Sequence, residues 1–243
     1  PTIKKTFKTC ILFGISSLIA GCLVAGLLLP MAHSMASISA TGGIIPTTQY
    51  YDFELVDYLK SHFSGVTTTV FASDDITSPS ISCGILSIGL LLAYLLNLEI
   101  PLKNKISYFL AIGFFIFAFF SPQLDYILHG FHVPNDLPYR YSFIYSFLLV
   151  VIAAYGLINI KKVHFPLLAI GYLFLMVLLL AISKEDWAGL TTNMIYINMI
   201  LLTLYFMFYA GLYFLENMKV LFYIALIIVA SVDVLISVDS NWD

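Results

Sequence analysis

Arg140 is the only arginine of the chain; the other ten of its eleven basic residues are lysines. A guanidinium is a rigid, permanently charged fork that suits carboxylate or phosphate, whereas an ammonium is a point charge. Arg140 ends a polar stretch, 121–140, lodged between two strongly apolar segments, and the same stretch supplies His129, His132, Asn135, Asp136 and Tyr139. A lone guanidinium at a membrane edge, close to two imidazoles, an amide and a carboxylate, is a candidate anion-binding site. Residues 134–138, PNDLP, are turn chemistry: proline presets φ, and Asn or Asp accepts local backbone bonds. That turn delivers Tyr139 and Arg140 to the mouth of the next apolar segment. Three roles for Arg140 stay open: contact with phosphate or substrate, an ion pair with Asp125 or Asp136, or a snorkelling anchor at the interface.

His129 and His132 stand three apart, a spacing that could share a metal on one helical turn. Gly130 and Pro134 argue against a regular helix there, and no third ligand is close in sequence. Neutral, hydrogen-bonded imidazoles are the expected state. No cofactor is indicated, a divalent metal stays open, and no residue is assigned as catalytic.

The elements that position these groups follow from composition. The chain of 243 residues is 60% hydrophobic and 10% charged, with mean hydropathy +0.96. Soluble domains carry about 25% charged residues, so an all-α polytopic integral membrane protein is predicted, with the lipid bilayer as its first partner. A net charge of -3 carries little weight, because the charges are sorted by side. Three cysteines, Cys10, Cys22 and Cys83, fall in or beside apolar segments and make no disulfide framework. Nucleotide loops, G-x-S-x-G elbows and CxxC pairs are absent from the sequence, and no nucleic-acid partner is expected.

A hydrocarbon core of roughly 30 Å needs about 20 apolar residues in a helix. About seven spans result, at 9–32, 81–98, 106–121, 141–160, 163–183, 194–215 and 220–238. Lys4, Lys5, Lys8, Lys103, Lys105, Lys161, Lys162 and Lys219 lie on one side, against Lys60, Arg140 and Lys184 on the other. The first side is predicted to be cytoplasmic. The short loops then face inward, while the long loops 33–80 and 121–140, and the C-terminal end, face outward. Long loops often carry function. The whole of 1–243 reads as one transmembrane helical domain, and as an internal piece of a longer chain.

Within loop 33–80, Phe53, Val56, Leu59 and Phe63 recur at helical spacing, with Asp52, Glu54 and Lys60 elsewhere around the turn. This predicts a helix lying in the outer interface with its apolar face down, as a lid or as a seal. His33, just after Leu29 and Pro30, and His62 are expected at the interface. Asp233 is the sole acid well inside a span. It is expected either to serve a proton path or a polar substrate group, or to lie near enough to the outer surface to be wetted.

The run from His129 to Phe143, HGFHVPNDLPYRYSF, resembles the signature loop of the bacterial YfhO family. Leu29 and Pro30 closing the first span, Ser82, Cys83 and Gly84 opening the second, and the loop of Lys103, Asn104 and Lys105 fit the same pattern. Members of that family resemble GT-C glycosyltransferases, polytopic enzymes that use polyprenyl-phosphate-linked sugars. The resemblance implies sugar transfer outside the membrane onto a cell-wall polymer such as a teichoic acid. Displacement at the anomeric carbon needs a carboxylate base and cationic or hydrogen-bonding help for the departing phosphate. The base is expected on an outer loop upstream of Pro1. Arg140 is then the expected partner of the lipid phosphate, with His129, His132 and Asn135 as lesser donor contacts.

Two rival classes remain. A transporter or flippase for an anionic lipid or sugar would show polar residues deep in several spans and broken helices near mid-bilayer. A non-catalytic assembly protein would tolerate substitution of Arg140.

Overall fold

The computed structural model describes residues 3–36, 45–47, 54–67, 78–133, 139–184 and 190–239. Among them the α-helices are α1 (Ile3–Ala36), α2 (Leu55–Lys60), α3 (Ile85–Leu96), α4 (Leu102–Phe120), α5 (Pro122–Leu128), α6 (Ser142–Ile158), α7 (Phe165–Ile182), α8 (Thr192–Phe214) and α9 (Lys219–Asp239). The predicted all-α polytopic membrane fold is what the chain forms. Each predicted span holds one helix, and five of these, α1, α4, α7, α8 and α9, are long and apolar enough to cross a bilayer. The other two, α3 and α6, have 12 and 17 residues.

The second span needs correction. Residues 81–98 were expected as one helix, yet α3 begins only at Ile85. Twelve residues at 1.5 Å each give about 18 Å, well short of a bilayer core. The missing length is extended chain, 78–84, in which Ser78, Ile81 and Gly84 are buried. Irregular backbone survives at such depth only if its polar groups find partners inside the protein, and serines supply them. The Ser142 hydroxyl donates to the Ser80 carbonyl at 2.8 Å, Ser146 to Ile81 at 3.1 Å, and Ser87 to Cys83 at 2.7 Å.

Helix α3 is the centre of the bundle, packed against α6, α7 and α8; α4 packs on α5 and α6, and α9 on α8. Small residues allow the close approaches, as is usual between helices in lipid. A Cβ on Gly156 of α6 would lie 2.3 Å from the Leu90 carbonyl oxygen, and one on Gly171 of α7 would lie 2.7 Å from Leu92. Lys105 reaches back to the end of α3, its Nζ donating to the carbonyls of Leu95 and Asn97 at 2.8 and 2.7 Å. A cation there meets the negative end of the helix dipole. We call the end with Lys105, Lys161 and Lys162 the lysine end, and the opposite one, with α5, the loop end.

Helix α1 contains the whole of the first predicted span, 9–32, and runs on through Pro30 and past His33; none of its side chains from Lys5 to Ser34 is buried.

Candidate functional site

An apolar groove runs along α3 from the loop end toward the lysine end, half-open and enclosing about 210 Å³. Ile88 and Leu91 of α3 face it, with Ile112 of α4, Leu149 of α6, and Leu175 and Leu179 of α7. That volume is below the roughly 300 Å³ at which drug-sized ligand pockets begin. It suits a single hydrocarbon chain. Polar groups gather only at its ends: Tyr58, His62 and Tyr145 at the mouth, and Tyr94, Lys105 and Tyr108 at the far end.

The mouth is a fixed hydrogen-bond relay. The Tyr58 and Tyr145 hydroxyls lie 2.6 Å apart, His62 Nε2 is 3.0 Å from the Tyr145 hydroxyl, and His62 Nδ1 is 2.8 Å from the Tyr58 carbonyl. A carbonyl only accepts, so Nδ1 carries the proton and Nε2 accepts from Tyr145, whose oxygen accepts from Tyr58. Burial pushes the His62 pKa down from 6.5 to about 4, so the imidazole is neutral at physiological pH. At neutral pH such a group is a weak base.

This depressed pKa predicts acid sensitivity. In the unfolded chain the imidazole takes a proton below its ordinary 6.5, while the folded one does so only near 4. Stability is therefore full above about pH 6.5 and falls as pH drops toward 4, by on the order of 3 kcal/mol. Denaturant titrations of native protein and His62→Gln over that range should show the slope in the first and a flatter profile in the second. Equal slopes would remove His62 as the cause.

The position of His62 overturns two expectations. The helix in loop 33–80 is six residues long, with Leu55 and Leu59 exposed and Tyr58 and Lys60 buried. Lys60 pairs with Asp57 at 2.6 Å. Phe53 and Asp52 lie outside the described residues. The chain then turns inward, and residues 61–66 are all buried. His62 is thus inside the bundle, because the hydroxyl of Tyr145, 83 positions away, gives its ring a partner there.

A polar latch holds that inward turn. The Ser64 amide donates to Asn198 Oδ1 at 3.0 Å, and Asn198 Nδ2 donates to the Ser64 carbonyl at 2.8 Å. The Ser64 hydroxyl donates to Asp233 and accepts from the Ile85 amide at 3.2 Å. The other Asp233 oxygen accepts from the Tyr205 hydroxyl at 3.0 Å. Asp233 is 2% exposed, so of the two readings left open for it, the wetted carboxylate is set aside. Gly84, at φ 74°, leaves the space this requires, since a Cβ there would lie 2.8 Å from Asp233 Oδ2.

The signature loop lies beside the mouth. Ser121 caps α5 through the Leu124 amide at 3.4 Å, with Pro122 in the first turn. His129 is buried, and both its nitrogens are engaged. Nδ1 faces the Asp125 carbonyl at 3.0 Å and Asp125 Oδ1 at 3.2 Å, while Nε2 accepts from the Arg140 amide at 3.4 Å. His129 therefore fixes the backbone that presents Arg140, which is exposed. His132 is half-buried, its ring centre 6.3 Å from that of His129. Gly130, Phe131 and Tyr139 take left-handed φ values of 75°, 64° and 56°. Non-glycine residues rarely do so, and such conformations gather at functional sites. Asn135 and Asp136 lie outside the described residues.

Phe119 joins loop to groove. Its ring stacks on Tyr141 at 5.5 Å and meets Tyr139 at 5.9 Å, Tyr145 at 5.5 Å and Tyr58 at 6.4 Å. One residue, Tyr141, separates Arg140 from the start of α6, and Tyr145 sits in the first turn of that helix. The arrangement offers an apolar slot, a hydrogen-bonding mouth and, five residues before Tyr145 in the chain, an exposed arginine. Sequence reasoning missed Tyr58, Ser64 and Tyr145, for no local pattern pairs residues 87 or 169 positions apart.

A family model described as bacterial membrane protein YfhO matches residues 1–241. No curated protein and no solved structure matches the chain.

Proposed function

This chain belongs to the YfhO family of bacterial membrane proteins, and on that premise we propose that it is a glycosyltransferase module of the multi-pass cell-membrane type. It moves a sugar from a polyprenyl-phosphate donor to an extracellular cell-wall polymer such as a teichoic acid. What supports this reading is the apolar groove with Tyr145 at its mouth, together with the exposed Arg140 five residues earlier in the chain. One isoprenoid chain lies in the groove, and its phosphate meets the guanidinium, which stabilises the charge that grows as the sugar departs. His62, neutral and donor-saturated at Nδ1, holds the mouth and does not neutralise the phosphate. Tyr139 and His129 set the loop's backbone, and His132, Asn135 and Asp136 are the remaining candidates for contact with the donor.

The lysine end is cytoplasmic by the excess of basic residues. The loop end and the C-terminal end of the chain then face outward. The module is read as one helical domain, and none of its residues is assigned as the base.

A second reading has support in the extended stretch 78–84 and the buried Asp233. Broken helices and intramembrane acids also build transporters, here for an anionic lipid or sugar. The two readings separate in cells. A deletion strain is complemented with full-length protein, native or Arg140→Ala, and the sugars on its wall polymers are analysed. The expected result is a substituent that vanishes on deletion, returns with native protein and falls about 100-fold with Arg140→Ala. Unchanged decoration in the deletion strain sinks the enzyme. Equal restoration by both forms removes Arg140 from the site.

A further inference from the structure

The groove is not closed at its far end by packed aliphatic side chains. Tyr94 and Tyr108 line it there, and the same two residues line a second cavity at the lysine end, of about 550 Å³. Their rings meet edge to face at 5.8 Å and form the partition between the two spaces. The second cavity is different in character. Tyr155, Asn104, Ser107 and Asn159 face it, and Glu99 and Lys162, 3.7 Å apart, stand at its rim as a charge-balanced pair.

Tyr94 stands at this junction. It is 2% exposed, and among the described residues its hydroxyl, like that of Tyr209, has no hydrogen-bond partner. Buried polar groups are nearly always satisfied, and one left alone is costly. A phenylalanine would fill the same space without that cost. The hydroxyl stands where the apolar groove meets the polar cavity, the place where the chain of a lipid joins its headgroup.

We infer that the lysine-end cavity is a second ligand site, for an uncharged polyhydroxyl headgroup such as a sugar, carried on a single hydrocarbon chain that enters the groove past Tyr94. Amides and hydroxyls match sugar hydroxyls, tyrosine rings offer flat apolar faces, the Glu99–Lys162 pair is balanced, and Lys105 at the junction is engaged by the carbonyls of Leu95 and Asn97. The volume lies within the roughly 300–1,000 Å³ of small-ligand pockets. The inference rests on the reading of the groove as a lipid-chain slot, and it makes the groove reachable from both ends.

The test uses full-length protein in nanodiscs and a photoreactive dodecyl glucoside, with a photoreactive dodecyl phosphocholine as the charged control. Labelled peptides are mapped, and affinity is measured by competition with dodecyl maltoside. Expected is glucoside labelling around residues 94–108 and 155–162, stronger than that by phosphocholine. Tyr94→Phe should lower glucoside affinity about fivefold, the worth of one hydrogen bond, with an unfolding temperature unchanged or raised. Labelling confined to the mouth near Tyr58, equal labelling by both probes, or an affinity untouched by Tyr94→Phe would each overturn the inference. The last of these would mean that a water satisfies the hydroxyl. The readout is binding, so it stands or falls separately from sugar transfer.

Discussion

Asp233→Leu is expected to release the inward turn of residues 61–66 and to destabilise the protein by about 2–5 kcal/mol. The carboxylate accepts from two buried hydroxyls, those of Ser64 and Tyr205. Leucine accepts from neither, and each buried donor left alone costs about 1–3 kcal/mol. Asp233→Asn keeps one carbonyl oxygen as an acceptor, and its amide can donate to a rotated hydroxyl, so about half of that loss is expected. The effect travels through Ser64, which also accepts from the first amide of α3 and is clasped by Asn198 on α8. One residue thus ties the turn to α3, α8 and α9. Losing it frees His62 from Tyr145 and opens the mouth of the groove. Denaturant unfolding of the three proteins, with proteolysis of 61–66 read by mass spectrometry, checks both halves. If Asp233→Leu is as stable and as protected as native protein, the latch does not hold the turn. If stability is kept but transfer is lost, Asp233 serves the reaction or a proton path directly.

The parts of this architecture that were legible in the sequence are those set by local composition. Apolar runs between lysine pairs mark where each helix lies, because a bilayer demands length and apolarity within one segment. The lone arginine and the PNDLP turn mark the signature loop for a similar reason: both are local features. What was illegible depends on distant partners. Residues 81–98 read as a continuous apolar span, and the hydroxyls of Ser142 and Ser146 on another helix help 78–84 to stay extended. The spacing of Phe53, Val56, Leu59 and Phe63 suggested a helix lying flat on the interface. Tyr58, His62 and Ser64 override it, because each finds a partner inside the bundle. Asp233 was conspicuous as an acid in a span, but its partners could not be named. His129 shows the reverse case. Its spacing from His132 allowed a shared metal but hydrogen-bonded imidazoles were the expectation, and the fold engages both its nitrogens with the loop's own backbone and with Asp125, partners that spacing alone could not name.

Leu91→Trp is expected to leave the protein folded, and more stable by about 0.5–2 kcal/mol, while sugar transfer falls about 100-fold. Leu91 is half-buried on α3 and lines the middle of the groove, between the mouth at Tyr145 and the partition at Tyr94. An indole there occupies space that is empty in the native fold, and filling a cavity commonly stabilises by that amount. A lipid chain denied the slot loses its burial. At about 0.8 kcal/mol per methylene, displacing three or four costs roughly 3 kcal/mol, which is two decades in affinity. Stability and function should therefore move in opposite directions, a pattern that simple misfolding does not produce. Ile88→Phe, one turn nearer the mouth and also facing the groove, provides a second and milder plug. Unfolding temperature and wall-polymer decoration would be measured for both. If either variant is stabilised and decoration is unchanged, the groove is a packing defect, and the lipid phosphate must reach Arg140 by another route. If both lose decoration while remaining stable, the chain of the donor runs along α3. The guanidinium at the loop end then acts on a phosphate already positioned by its own lipid, which is how remote binding energy orients a reacting centre.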